Sequence, residues 1–107
     1  MNKVCVVIGV GPGNGEALVR RFCQEGYDVA MLARSKDFIE RLAGQLPSAH
    51  AFIHDASDLE AAASVFARIE QQLGAVSVLL YNAGGGVVRA GGVASSKDVG
   101  FYLYVVH

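Results

Sequence analysis

A continuous apolar run that ends in a cluster of glycines is the feature that most limits how this chain can fold. The run covers residues 3–8, and the segment Gly9-Val10-Gly11-Pro12-Gly13-Asn14-Gly15 follows it directly. An apolar run without polar alternation is typical of a parallel strand covered on both faces. Glycines at its end permit a tight turn with positive φ angles. The segment therefore predicts a buried strand that leads into a sharp turn.

An amphipathic helix is expected after this turn, because apolar residues then recur at helical spacing: Leu18, Val19, Phe22 and Cys23. Gly26 is suited to end it. Further apolar segments predict strands at residues 27–33, 49–53 and 76–81. Alternating strands and helices with short connections give right-handed crossovers and a mainly parallel sheet. The predicted fold class is α/β, a Rossmann-like doubly wound sheet of about four strands with flanking helices.

Local signals indicate where the two later helices begin and end. Ser35 is a suitable N-cap for the helix after the second strand, and Gly44 and Pro47 are expected to end it. Ser57 and Glu60 form a capping box for the next helix, which Gly74 closes.

The pattern changes after Gly84, where a glycine-rich stretch at 84–92 precedes an apolar tail at 101–106. Ser95 and Asp98 resemble a capping box, whereas the composition of the tail is typical of a strand. We expect a helix that starts near Ser96. The domain prediction is one unit, with residues 1–85 as the Rossmann half and 86–107 as the loop and apolar tail.

Length and charge narrow the classes of partner. A chain of 107 residues is long enough for one core, and its formal net charge of -1 gives little attraction for nucleic acid or an anionic membrane. The first apolar run is too short for a signal sequence or membrane span. We therefore expect a cytoplasmic protein that binds neither nucleic acid nor a membrane. Cys5 and Cys23 are expected to be separate thiols, as in most proteins of a reducing compartment.

The glycine turn is also suited to a phosphate ligand. Bare backbone amides at the positive end of the following helix can hold a pyrophosphate, and the position between a strand and a helix supports this interpretation over a turn with no ligand. Methyltransferases that use S-adenosylmethionine share such a turn but are expected to carry a ribose-binding acid after the second strand. Here Arg34 stands at that place, which favours the 2'-phosphate of NADP over NAD. A solvated surface arginine is the alternative.

Three motifs in the expected order make residues 1 to about 85 resemble the short-chain dehydrogenase/reductase family. The family's TGxxxGxG turn is similar to the segment from Ile8 to Gly15, and its NNAG signature to Tyr81-Asn82-Ala83-Gly84. Asp55, followed by Ala56, resembles the family's acidic contact to adenine. Ile8 replaces the family threonine and Tyr81 replaces its first asparagine, so the hydrogen bonds of those family side chains are not expected here. Backbone contacts of the two motifs can survive both changes.

The resemblance implies an NADP-binding unit whose cofactor contacts are Gly9, Gly11, Gly13, Asn14, Gly15, Arg34, Asp55, Ala56, Asn82, Ala83 and Gly84. Two of these have structural alternatives. Asp55 can cap the helix that follows it, and Asn82 can stabilise the strand-to-loop turn. No metal is expected, because the histidines lack metal-ligand spacing, and His54 is interpreted as a strand-end polar residue.

The family's mechanism also implies a tyrosine that exchanges a proton with the substrate during hydride transfer, with its pKa lowered by a lysine in a Tyr-x-x-x-Lys motif. None of Tyr27, Tyr81 and Tyr102 has a lysine four residues later. The catalytic residues are therefore unknown, and we expect a truncated product or short homologue that binds NADP without turnover. A noncatalytic assembly module, joined as a homo-oligomer through the sheet edge or the 101–106 tail, is the alternative. A third hypothesis is an active enzyme whose missing catalytic groups come from a partner chain.

Overall fold

The computed structural model describes residues 2–55, 58–82, 93–94 and 102–106. Its strands are β1 (Val4–Ile8), β2 (Asp28–Ala33), β3 (Ala49–Ile53), β4 (Val76–Asn82), β5 (Val93–Ala94) and β6 (Tyr102–Val106). Its helices are α1 (Asn14–Gln24), α2 (Lys36–Gln45) and α3 (Leu59–Leu73). None of the helices in these ranges combines the length and apolar character needed to cross a membrane.

The strands form one sheet in the order β3-β2-β1-β4-β6-β5. All neighbouring pairs are parallel except β5 with β6. The chain moves from β1 outward through β2 to β3, and then crosses back to place β4 on the other side of β1. This reversal confirms the predicted Rossmann-like doubly wound sheet. It also creates a crevice at the carboxyl ends of the strands, where doubly wound sheets bind ligands.

Strand β1 lies in the middle of the sheet because its side chains are buried on both faces. Cys5 and Val7 belong to a core cluster that also contains Val19 of α1 and Ile39 of α2. On the opposite face, Val4 and Val6 pack in a second cluster with Val65 and Ile69 of α3. Because the two faces of β1 pack in these two clusters, each of its positions needs an apolar side chain, and this explains the unbroken apolar run.

One predicted helix cap was wrong. Helix α3 has Asp58 as its N-cap, with a carboxylate oxygen that accepts a hydrogen bond from the main-chain N–H of Ala61 at 3.1 Å. Ser57, the predicted cap, lies outside the described residues. Helix α2 begins after Ser35 as predicted, and it ends at Gln45, between Gly44 and Pro47. Gly44 itself lies within the last turn, where one glycine costs only about 1 kcal/mol.

The apolar tail is a strand, so the predicted helix near Ser96 is wrong for residues 102–106. Strand β6 pairs in parallel with β4, from Val78 opposite Tyr102 to Asn82 opposite Val106. It also pairs with β5 on its other side, so both of its main-chain edges are occupied. The aromatic and β-branched composition suited the open edge of β4, and long-range pairing outweighed the local capping signal. Ser95, Ser96 and Asp98 lie outside the described residues.

Candidate functional site

The turn between β1 and α1 has backbone angles that glycine adopts most easily. Gly9 has a φ of +88°, and its N–H donates to the carbonyl oxygen of Leu32 at 2.8 Å. Gly13 has a φ of +96° and is the N-cap of α1. The turn is thus held against the end of β2 before the chain enters the helix.

Close packing against neighbouring main-chain atoms requires glycine at positions 9 and 15. A Cβ on Gly9 would lie 2.5 Å from the main-chain oxygen of Asn82, and one on Gly15 would lie 2.9 Å from the oxygen of Gly9. A Cβ on Gly11 or Gly13 would meet nothing within 4 Å. The turn is therefore tightly packed toward β4 and open above the positive end of α1. An anionic group fits that open side.

Asn82 joins the end of β4 to the same turn. Its side-chain amide nitrogen donates to the carbonyl oxygen of Gly9 at 3.0 Å. This bond links residues that are 73 positions apart in the sequence. The structure thus gives Asn82 the turn-stabilising role that the sequence left open.

A cleft of about 620 Å³ opens along the carboxyl ends of β1 to β4. Three of the predicted site residues line it, namely Gly9, Arg34 and Asp55. Arg34 follows β2 directly, and Asp55 lies two residues after the end of β3. The sheet topology therefore brings together residues from three separate connections.

The other predicted residues do not line the cleft or lie outside the described part of the chain. Gly11 and Gly13 belong to the turn, Asn14 and Gly15 to the start of α1, and Asn82 to the end of β4. Ala56, Ala83 and Gly84 lie outside the described residues.

Several residues of the cleft were not predicted from the sequence: Ile8, Val10, Leu32, Ala33, Ser35, His54 and Tyr81. Ser35, His54 and Tyr81 are each adjacent to a predicted residue at the end of a strand. This adjacency was the available signal, since residues at the carboxyl ends of parallel strands meet at one edge of a sheet. The sequence did not show that His54 is buried, with 8% of its surface exposed.

Among the described residues that line the cleft there is one charge of each sign. Arg34, exposed at the end of β2, is the one lysine or arginine and favours an anionic ligand there, and Asp55 is the one acid. Glu16 of α1 does not line the cleft, and it accepts a hydrogen bond from Arg20 at 2.9 Å. Arg20 also donates to Gln45 at 2.8 Å, which links α1 to α2 away from the cleft.

The thiols and histidines do not form a second reactive centre in the described ranges. Cys5 and Cys23 are free. Burial, and to a lesser extent the charge of Cys23, raise the pKa of Cys5 to about 12, so this thiol is neutral and weakly nucleophilic near pH 7. No group of three or more metal-ligating residues is found among residues 2–55 and 58–82.

A family model described as short chain dehydrogenase matches residues 3–100. The chain belongs to the short chain dehydrogenase family. Among its relatives, the meso-2,3-butanediol dehydrogenase of Serratia marcescens is 40% identical over 85 residues, which are 78% of this chain and 34% of that protein. A 3-oxoacyl-[acyl-carrier-protein] reductase of Mus musculus is 35% identical over 85 residues, or 78% of this chain and 36% of the relative.

Solved structures show the same family architecture. A short chain dehydrogenase/reductase family oxidoreductase from Aeromonas hydrophila has a TM-score of 0.74 at 26% identity. The match covers 82% of this chain and 42% of the Aeromonas chain. The 3-ketoacyl-(acyl-carrier-protein) reductase of Brucella melitensis, complexed with NADH, has a TM-score of 0.72 at 32% identity. That match covers 77% of this chain and 34% of the Brucella chain. The chain thus spans about a third of the length of the two curated relatives named above.

Proposed function

We propose that this chain is the NADP(H)-binding unit of a short chain dehydrogenase. The observation that carries the proposal is the cleft at the carboxyl ends of β1 to β4, where Gly9, Arg34 and Asp55 meet. The proposal treats residues 1–107 as one dinucleotide-binding domain. It also includes a cytoplasmic location, which is supported by the free thiols of Cys5 and Cys23.

The parts of the site have distinct roles in this proposal. The open turn at Gly11 and Gly13 and the positive end of α1 receive the pyrophosphate. Arg34 pairs with the 2'-phosphate, and the Asp55 carboxylate accepts a hydrogen bond from the adenine amino group. The remaining contacts are assigned to the start of α1 and to the segments after β3 and β4: Asn14, Gly15, Ala56, Asn82, Ala83 and Gly84.

The choice of NADP over NAD depends on Arg34. A guanidinium presents a fork of donors and a permanent positive charge, whereas an acid at this place would repel a 2'-phosphate. The Brucella melitensis reductase was solved with NADH, so the fold by itself does not select NADP. The charge at the end of β2 is therefore the feature that supports the phosphorylated cofactor in this chain.

Fluorescence titration with NADPH and NADH tests the proposal. We expect saturable binding that is tighter for NADPH, and we expect Arg34→Ala to weaken NADPH binding by at least about tenfold, as for loss of a charged hydrogen bond. NADH binding should change by less than about twofold, because NADH has a neutral hydroxyl in place of the charged 2'-phosphate. Arg41→Ala is the matched control, since Arg41 is an exposed residue of α2 outside the cleft. Equal affinity for both dinucleotides, or no binding, would contradict the proposal.

The same preparation tests whether binding leads to reduction. The 107 residues contain no Tyr-x-x-x-Lys, so we propose that this chain lacks its own catalytic pair. Purified protein is expected to leave NADPH unoxidised when mixed with a panel of carbonyl compounds. Turnover above the buffer rate would show that other groups of the chain supply the proton.

A further inference from the structure

His54 is the one buried polar residue in the described part of the chain. It follows β3 directly, and its main-chain N–H donates to the carbonyl oxygen of Ala33 at 2.9 Å. This bond holds His54 beside the residue that precedes Arg34. His54 is part of the lining of the cleft.

The imidazole of His54 has no hydrogen-bond partner among the described residues. No fully buried side-chain nitrogen or oxygen in the described ranges lacks a partner, so the ring nitrogens of His54 are not fully buried. The cleft is the open space that His54 lines. His50 differs, because its Nε2 lies 3.3 Å from a carboxylate oxygen of Asp28. A polar ring that is nine-tenths buried and has no partner among the described residues favours a hydrogen-bonding group that enters the cleft.

The surroundings of His54 suit a flat ring with a polar edge. Ile8 lies in register with Leu32 on β2 and with Tyr81 on β4, and all three line the cleft. These side chains form an apolar row across adjacent strands, and His54 stands beside it at the end of β3. A purine can lie against apolar and aromatic side chains while its edge or its ribose makes hydrogen bonds.

We propose that His54 determines specificity for the adenosine half of the dinucleotide, to which its imidazole forms a direct hydrogen bond. The inference rests on the proposed function, because the adenosine half is located by the pairing of Arg34 with the 2'-phosphate. The main-chain bond from His54 to Ala33 places His54 beside the residue that precedes Arg34, which is next to that phosphate site. Neither the glycine turn nor Asp55 is needed for this contact.

Calorimetric titration of His54→Phe tests the inference with two ligands, NADPH and adenosine 2',5'-bisphosphate. Phenylalanine keeps a ring and removes both ring nitrogens. We expect both affinities to fall by the same factor, about three- to tenfold, which is the net effect of one hydrogen bond. His54→Gln restores a donor and an acceptor and should lose less than His54→Phe. His50→Phe is the matched control, since His50 lies within β3 and does not line the cleft, and it should bind both ligands as the unmodified chain does.

The outcomes separate this inference from the proposed function. If the unmodified chain binds neither ligand, the proposed function fails. If it binds both ligands and His54→Phe binds them equally well, the role of His54 is overturned. A loss confined to NADPH would overturn the assignment to adenosine. If His54→Phe does not fold, the imidazole resonances of the unmodified chain decide: those of His54 must shift on addition of adenosine 2',5'-bisphosphate, and their failure to shift at saturation would overturn the inference.

Discussion

Gly9 is subject to three constraints at once in the turn after β1. Its φ is +88°, its N–H is bonded to Leu32, and a Cβ would lie 2.5 Å from the main-chain oxygen of Asn82. A side chain here would be strained by its backbone angle and would also push the end of β4 away. The bond from Asn82 to the oxygen of Gly9 would be disturbed by the same movement.

We predict that Gly9→Ala lowers the free energy of unfolding by at least about 2 kcal/mol, through backbone strain and the clash with β4. Urea denaturation followed by circular dichroism measures the change. Gly11→Ala is the control, because a Cβ there would meet nothing within 4 Å, and its effect should stay within about 0.5 kcal/mol. Equal losses in the two variants would show that the close contact with Asn82 is not what requires glycine.

Residues of the cleft differ in how readily they can be predicted from the sequence. Arg34 and Asp55 could be predicted, because charged residues after apolar strands stand out and the sheet edge is a known place for ligands. Ser35, His54 and Tyr81 could not, since a serine that caps a helix or a tyrosine within a strand has an ordinary structural interpretation. Their place in the cleft depends on which strands are neighbours.

At the scale of elements, the caps of α2 and α3 differ in a way that their residue types do not show. Ser35 occupies the N-cap position of α2 but makes no side-chain capping bond. Asp58 caps α3 through the 3.1 Å bond to Ala61. Both are favoured N-cap residues, so sequence alone assigns them similar roles.

We expect Asp58→Ala to destabilise the fold by about 1 kcal/mol, the usual effect of removing a bonded N-cap. Ser35→Ala should cost less than half as much, because no capping bond is lost. Thermal unfolding followed by circular dichroism compares the two variants. A larger loss for Ser35→Ala would contradict the assignment of the caps.

The strand pattern was the most predictable part of the elements. Strand β3 has the predicted bounds, and β4 extends one residue beyond its prediction to Asn82. Apolar runs show such strands directly, because both faces of the sheet are covered. Strand β6 was not predicted as a strand, since its formation depends on pairing with β4 and not on its own periodicity.

At the scale of the whole molecule, the thiol of Cys5 makes the free energy of unfolding decrease at alkaline pH. Its side chain has 0% exposure in the core between β1, α1 and α2. Folding raises its pKa from 9.0 to about 12, so above pH 9 the folded state retains a proton that the unfolded chain releases. The contribution of Cys5 to stability is therefore complete below pH 9 and is lost as the pH rises toward 12.

We predict that the free energy of unfolding falls between about pH 9 and pH 11 with a Cys5 contribution that approaches 1.4 kcal/mol per unit. Urea titrations at about pH 8 and about pH 10.5 measure it. Cys5→Ala should remove this part of the slope, although it is less stable at every pH, and Cys23→Ala should retain most of it. A slope that is unchanged in Cys5→Ala would show that other groups cause the alkaline loss.

The sequence by itself determined the alternation of strands and helices, the glycine turn, and the membership of the short chain dehydrogenase family. These are encoded in local periodicity and in motifs of a few residues, which long-range packing leaves intact. Only the tertiary structure decided that Asn82 holds Gly9, that β6 joins β4, and that His54 is buried beside an apolar row in the cleft. Each of these depends on contacts between residues far apart in the chain, because burial and hydrogen-bond partners arise only when the strands are assembled side by side.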